Sequence, residues 1–219
     1  MSNHLNIDLK VCGITTSASI TTAAANNIKS LGFASDNLLG PNTCDDGLIK
    51  NLIEECDYYK IESVLLSRHQ STLELVKQID YTKPKIIACS YFFDKSELLL
   101  LKKIFKKLKI GISSNPKRFD KNYFQSVASL TNIFYYDLNI YEKDDIITFS
   151  IYDCLDQINF LRKLNKPIYI GGGISHKNAK LVIDNANPNG LDISRSLKDS
   201  NNDLCEKKLN KLIQSLSVG

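Results

Sequence analysis

A short apolar run followed by an amphipathic stretch recurs eight times along this chain, and that rhythm restricts the possible folds more than any other feature. The apolar runs fall at Leu9–Gly13, Gly32–Ala34, Ser63–Ser67, Lys85–Cys89, Lys109–Ser113, Ile133–Asp137, Pro167–Gly171 and Gly190–Ser194. Most are unbroken aliphatic or β-branched segments, the pattern of strands buried on both faces of a parallel sheet. The stretches between them carry apolar residues at helical spacing. They predict helices over Ser17–Leu31, Asp45–Cys56 (capped from Asn42 or Thr43), Leu73–Ile79, Lys95–Leu108, Asn122–Leu130, Tyr152–Leu164, Asn178–Asn185 and Asp203–Leu216. Strands alternating with helices mean an α/β protein with a parallel sheet. An open, doubly wound sheet is the competing arrangement. The count of eight, with no GxGxxG turn after the first strand, favours a closed (β/α)8 TIM barrel spanning residues 1–219 as one domain.

Composition agrees with that size and excludes several other classes. The 219 residues lie within the roughly 200–250 expected of such a barrel, and a hydrophobic content of 43% suffices for a large core. No apolar run reaches the roughly 18 residues a membrane-spanning helix needs. The opening MSNHLNIDLK has no basic segment followed by an apolar one, so a cytoplasmic location is expected. The six cysteines, Cys12, Cys44, Cys56, Cys89, Cys154 and Cys205, are scattered without a CxxC pair. That argues for free thiols rather than a zinc site or a disulfide framework. Net charge is +4, and the densest basic run, Lys102 to Lys107, carries apolar residues at helical spacing. A solvated helix face therefore explains it better than a nucleic-acid patch.

Barrels of this kind work at the C-terminal ends of their strands, which turns the strand assignments into candidate residues. These are Cys12, Arg68, Ser90, Ser113, Asp137, Gly171 to Gly173, and Asp192 to Ser196. Gly171-Gly172-Gly173 follows the seventh run and precedes a helix, where backbone N–H groups can approach a phosphate; a plain flexible turn is the alternative. Ser194, Arg195 and Ser196 follow the eighth run and add hydroxyls, amides and a guanidinium, unless Arg195 points into solvent. Cys12 is either a base or nucleophile at the mouth or an inert core thiol. Asp137 closes an apolar run, where desolvation favours general-acid use, with a helix cap or loop ion pair as the alternative.

Together these residues resemble the phosphoribosylanthranilate isomerases of tryptophan biosynthesis. Lys10-Val11-Cys12-Gly13-Ile14-Thr15 is similar to that family's K-I/V-C-G-I-T signature. Gly172-Gly173-Ile174 with Asn178 resembles its G-G-L-x-x-x-N segment, Leu191-Asp192-Ile193-Ser194 its V-D-V-S-S-G stretch, and Asp137 its strand-six aspartate. The resemblance implies an Amadori rearrangement of N-(5-phosphoribosyl)anthranilate to 1-(2-carboxyphenylamino)-1-deoxyribulose 5-phosphate, with Asp137 as general acid and Cys12 as general base. It implies no metal and no organic cofactor. Gly171, Gly172, Gly173, Asp192, Ser194, Arg195 and Ser196 would bind the phosphorylated sugar. The expected partner is that small molecule alone, neither nucleic acid nor membrane, in a monomer or homodimer.

Departures from the family pattern concentrate where the aglycone binds. After the second strand the family has S-x-R, whose arginine meets the anthranilate carboxylate; here Ser35-Asp36-Asn37-Leu38-Leu39-Gly40-Pro41 contains no arginine. The loop after strand six, Leu138 to Thr148, lacks the usual glycines, and the family's D-V-S-S-G-V-E becomes Asp192 to Lys198 with Lys198 in place of the acid. Arg68, at the end of strand three, is the nearest replacement cation, unless it pairs with Glu74 on the following helix. Two further readings stay open: an isomerase for another phosphoribosyl amine, and a non-catalytic barrel that keeps a phosphosugar site.

Overall fold

A computed structural model describes residues 7–38, 42–142 and 145–217. Eight parallel strands close into a barrel: β1 (Asp8–Val11), β2 (Ser30–Ser35), β3 (Glu62–Ser67), β4 (Ile86–Cys89), β5 (Lys109–Ser114), β6 (Ile133–Asp137), β7 (Ile168–Gly171) and β8 (Gly190–Ile193). Each pairs with the next, and β1 pairs with both β8 and β2, which leaves no free edge. All eight expected strands are present. A further two-residue strand, Thr43–Cys44, lengthens β2's outer pairing.

Helices α1 (Ser17–Ala25), α2 (Asp46–Tyr58), α3 (Thr72–Thr82), α4 (Lys95–Ile104), α5 (Lys121–Val127), α6 (Ile151–Lys163), α7 (Ala179–Ala186) and α8 (Glu206–Ser217) surround the barrel. Several ends differ from expectation for local reasons. Helix α1 stops before Asn27, whose φ of 57° turns the chain out of the helix, so Ser30–Leu31 belong to β2. The cap of α2 is Asp45, which accepts from the Leu48 N–H at 2.8 Å, rather than Asn42 or Thr43. Helix α4 has a capping box, Asp94 with Glu97, and ends at Ile104, so only the first half of the Lys102–Lys107 run is helical. Asp203 is held by Thr16 and Ser19 at the start of α1, which leaves α8 to begin at Glu206.

Two apolar clusters follow from this closure. The larger one lies between strands and helices; the smaller fills the barrel with Val64, Ile86, Ala88, Ile133 and Tyr135, flanked by Leu66 and Tyr169. The interior tyrosines require small neighbours. A Cβ on Gly111 would lie 2.5 Å from the Tyr135 ring, and one on Gly190 would lie 2.4 Å from that of Tyr169. The segment after β6, to which the sequence assigns no strand or helix, forms an antiparallel hairpin, Asn139–Glu142 with Asp145–Thr148. It stands over the C-terminal mouth.

Candidate active site

The strand order brings most of the candidate residues together. In the ladder Gly171 of β7 pairs with Asp137 on one side and Asp192 on the other. Cys12 leaves β1, its N–H donating to the Ile193 carbonyl of β8 at 2.8 Å. Strands β6, β7, β8 and β1 therefore gather Asp137, Gly171, Asp192 and Cys12 along one arc of the mouth. The alternation of β1 places Lys10 on the same face as Cys12. Its ammonium is buried at 1% exposure and donates to Asp192 Oδ2 at 2.6 Å, with the Tyr135 ring 5.0 Å away. Gly32 of β2 leaves room for both side chains, because a Cβ there would lie 2.7 Å from Cys12 Sγ and 3.0 Å from Lys10 Nζ.

The charges explain one another. Burial opposes the Lys10 ammonium, but the charges of Asp192 and Cys12 outweigh it and hold its pKa above the ordinary value. Burial pushes the Cys12 thiol up, Lys10 works against that, and Asp192 adds to it. Asp137 is raised to about 6, mainly by desolvation and further by the Asp192 charge. The Asn139 N–H, which donates to Asp137 Oδ1 at 2.8 Å, opposes that rise, as do Lys10 and Arg195. Asp192 Oδ1 is buried without a hydrogen-bond partner among the described residues, a vacancy suited to a ligand hydroxyl.

The two loops expected to hold phosphate are joined. Ser196 Oγ donates to the Ile174 carbonyl at 2.6 Å, and Asn178 ties the turn by accepting from the Ser175 N–H and donating to the Gly173 carbonyl. Gly172 and Gly173 adopt φ of 91° and 67°. A Cβ on Gly172 would sit 2.4 Å from Asp137 Oδ1, so only glycine fits beside the acid. The N–H groups of Gly172, Gly173, Arg195 and Ser196 find no acceptor among the described residues. They form a cluster of free donors, and the Arg195 charge acts on Asp137 from the same side.

No protein-family model and no curated protein sequence matches the chain. Solved structures do. Phosphoribosylanthranilate isomerase of Pyrococcus furiosus aligns over 96% of this chain and 98% of its own, with a TM-score of 0.75 at 16% identity. That of Thermococcus kodakaraensis covers 97% and 100%, with a TM-score of 0.75 at 14% identity. The fold is shared with these isomerases. Thiamine phosphate pyrophosphorylase of P. furiosus also aligns, over 98% of each chain, with a TM-score of 0.68 at 13% identity. At such identities the likeness speaks for the barrel and leaves the reaction to the residues.

Arg68, Ser90 and Ser113 are not part of this arc. Arg68 follows β3 and Ser90 follows β4, across the mouth from the loops after β7 and β8, and Ser113 lies half-buried within β5. Glu74, the carboxylate that Arg68 was weighed against, pairs with Lys77 at 3.0 Å. Residues 39–41 of the rebuilt loop after β2 lie outside the described residues.

Four residues went unrecognised in the sequence as part of the site. Lys10 was legible in principle, since it stands two positions before Cys12 on one strand. Lys198 is buried and donates to the Gly13 carbonyl at 2.9 Å; burial lowers its pKa against the opposing pull of Cys12. Tyr141, on the hairpin, has its pKa raised by burial and by the charge of Asp137, with Arg195 opposing. The residue is nonetheless 64% exposed. Arg118 lies in the loop after β5 and caps the opposite rim; nothing in its local sequence marks it.

Proposed function

We propose that the protein is a phosphoribosylanthranilate isomerase. One arrangement carries this reading: a carboxyl with its pKa raised to about 6 and a thiol, on β6 and β1, flank unpaired backbone donors of the loops after β7 and β8. The loops of Gly171–Gly173 and Ser194–Ser196, with Arg195, would bind the sugar phosphate. Asp192 Oδ1 would accept a ribose hydroxyl. Asp137, protonated, would give its proton to the furanose ring oxygen as the C1′–O bond breaks and the aryl nitrogen's lone pair forms the iminium. Cys12, as thiolate, would then take the C2′ proton, and the enolamine would become the ketone by gaining a solvent proton at C1′. Lys10 holds its ammonium beneath both Cys12 and Asp192, so it would position the thiolate rather than touch the reacting carbons.

The absence of an arginine in Ser35–Leu38 favours a second reading, the same chemistry on another phosphoribosyl amine. An assay of purified protein with phosphoribosylanthranilate, supported by complementation of a tryptophan-requiring strain lacking this isomerase, separates the two. Turnover with growth supports the first reading. No turnover, together with rearrangement of a different phosphoribosyl amine, supports the second.

A further inference from the structure

The end of the barrel away from the mouth carries charge of one sign. Seven segments there join a helix to the next strand, and they hold Lys29, Lys60, Lys83, Lys85, Lys106, Lys107 and Lys166 but no aspartate or glutamate. The loops at the mouth mix both signs, Asp94, Arg118 and Asp120 among them. All these lysines except Lys166 precede the four adjacent strands β2 to β5, and each of them is exposed. The strand starts lie side by side: the Glu62 N–H donates to the Lys29 carbonyl at 2.8 Å, and the Lys109 N–H to the Lys85 carbonyl at 3.0 Å. Lys106 and Lys107, expected on a solvated helix face, lie past the end of α4 and belong to this surface.

The bordering acids do not balance it. Asp57 accepts from Lys85 at 3.0 Å and Glu62 accepts from Lys109. Lys29, Lys60, Lys83, Lys106 and Lys107 form no ion pair among the described residues. Even with Asp80 in the last turn of α3, the surface stays cationic. The backbone adds a second observation. Left-handed residues turn the chain out of five helices: α1, α6 and α7 use Asn27, Asn165 and Asn187, whereas α2 and α3 use Lys60 and Lys83, at φ of 58° and 53°. Asparagine or glycine takes that conformation at lower cost than lysine. An exposed, unpaired lysine offsets none of that strain within the fold, which leaves its charge at the surface as its use.

Lysines alone suit any polyanion, and the tyrosines beside Lys60 narrow the choice. Tyr58 is 80% exposed and stands edge-on to Tyr59, with ring centres 5.0 Å apart. The Asp57–Lys85 pair ties this end of α2 to the Lys83–Lys85 segment. An open aromatic ring among cations offers stacking to a base and ion pairs to the phosphates on either side of it. We propose that the face of the barrel opposite the mouth, over β2 to β5, binds single-stranded nucleic acid. Tyr58 stacks on a base, while Lys60, Lys83, Lys106 and Lys107 meet phosphates. The surface is remote from the candidate active site and stands independently of the isomerase reading.

Fluorescence anisotropy with a labelled oligouridylate of about 15 nucleotides, over a series of salt concentrations, tests it. Wild-type protein should bind, and more weakly as salt rises. The double variant Lys60→Asn/Lys83→Asn should lose about tenfold or more in affinity, and its log–log salt dependence should flatten by about 0.7 per lysine. Its Tm should equal or exceed that of the wild type, because both left-handed turns are relieved. Lys207→Gln/Lys211→Gln on α8, which removes the same charge elsewhere, should stay within about twofold. Tyr58→Ala should weaken binding about 5- to 50-fold and leave the salt dependence unchanged. No binding by the wild type at low salt, or equal losses from the two lysine pairs, overturns the proposal. Polyglutamate bound as tightly as the RNA, with Tyr58→Ala neutral, overturns it in favour of an acidic protein. Phosphatidylserine vesicles that bind the wild type when the RNA does not overturn it in favour of a membrane.

Discussion

In the proposed mechanism, burial favours the protonated state that Asp137 needs and opposes the thiolate state that Cys12 needs. The acid must keep a proton although its pKa is about 6, and the base must lose one although burial lifts its thiol above the ordinary value. The product of those two populations rises to pH 6, stays level, and falls beyond the Cys12 pKa. The acidic limb of the kcat/KM profile near pH 6 is therefore expected to carry the Asp137 value, and the alkaline limb that of Cys12. Asp137→Asn should lower turnover about 10²- to 10⁴-fold and replace the bell with a single rise through the thiol pKa. Steady-state rates from pH 5 to 10 decide this, and an unchanged bell in the variant contradicts the assignment. Cys12→Ala should lose turnover by a similar factor with little change in affinity. Iodoacetamide should inactivate the wild type, with substrate protecting; a fully active Cys12→Ala variant returns Cys12 to the core.

The same carboxyl bears on stability. Its folded pKa of about 6 exceeds the ordinary 3.8, so ionising it inside the fold is harder than in the unfolded chain. Protein stability should fall as pH rises from about 4 to 6 and stay lowered above that. Asp137→Asn should then be the more stable protein at pH 7, by up to about 3 kcal/mol before the weaker hydrogen bond from Asn139 is subtracted. The advantage should vanish near pH 4. Urea titrations at the two pH values measure it, and a variant less stable at pH 7 would make Asp137 a structural residue.

At the scale of elements, the loops after β6 and β7 act as one unit. The hairpin is anchored where Asn139 meets Asp137, Thr148 Oγ1 donates to Asn139 Oδ1 at 2.8 Å, and the Phe149 N–H donates to the Leu138 carbonyl at 2.9 Å. Gly172 fits beneath it. Gly172→Ala should push on Asp137 Oδ1 and force a β-carbon onto a φ of 91°, costing about 1–3 kcal/mol and more than tenfold in turnover. Thermal denaturation beside the rate assay checks both, and a neutral effect on both would mean that the turn and the acid are not coupled. The strands were legible because unbroken apolar runs such as Ile133 to Tyr136 have little other use in a chain of this composition. The hairpin was not, because Asn139 to Thr148 contains no glycine and Tyr141, Ile146 and Ile147 are apolar yet exposed. Helix ends were misjudged where a left-handed asparagine (Asn27) or a long-range partner (Asp203) sets the limit.

Over the whole molecule, closure of β1 onto β8 brings together residues some 180 positions apart, such as Lys10 and Asp192. The candidate arc was legible in the sequence, because Cys12, Asp137 and the Gly171–Gly173 turn each end or follow an apolar run. The opposite rim stayed hidden, since Arg118 is placed there by the Ser90 carbonyl and the Phe92 ring, partners some 26 to 28 positions away. In the proposed function, this barrel rearranges a phosphoribosyl aryl amine with Asp137 and Cys12. Incubation with phosphoribosylanthranilate in D2O, followed by NMR of the product, tests it most directly. Wild-type protein should form the aminoketose with one deuterium bound to C1′, and both Asp137→Asn and Cys12→Ala should slow its formation at least about 100-fold. Unreacted substrate with the wild type, or product formed equally fast by either variant, would contradict it.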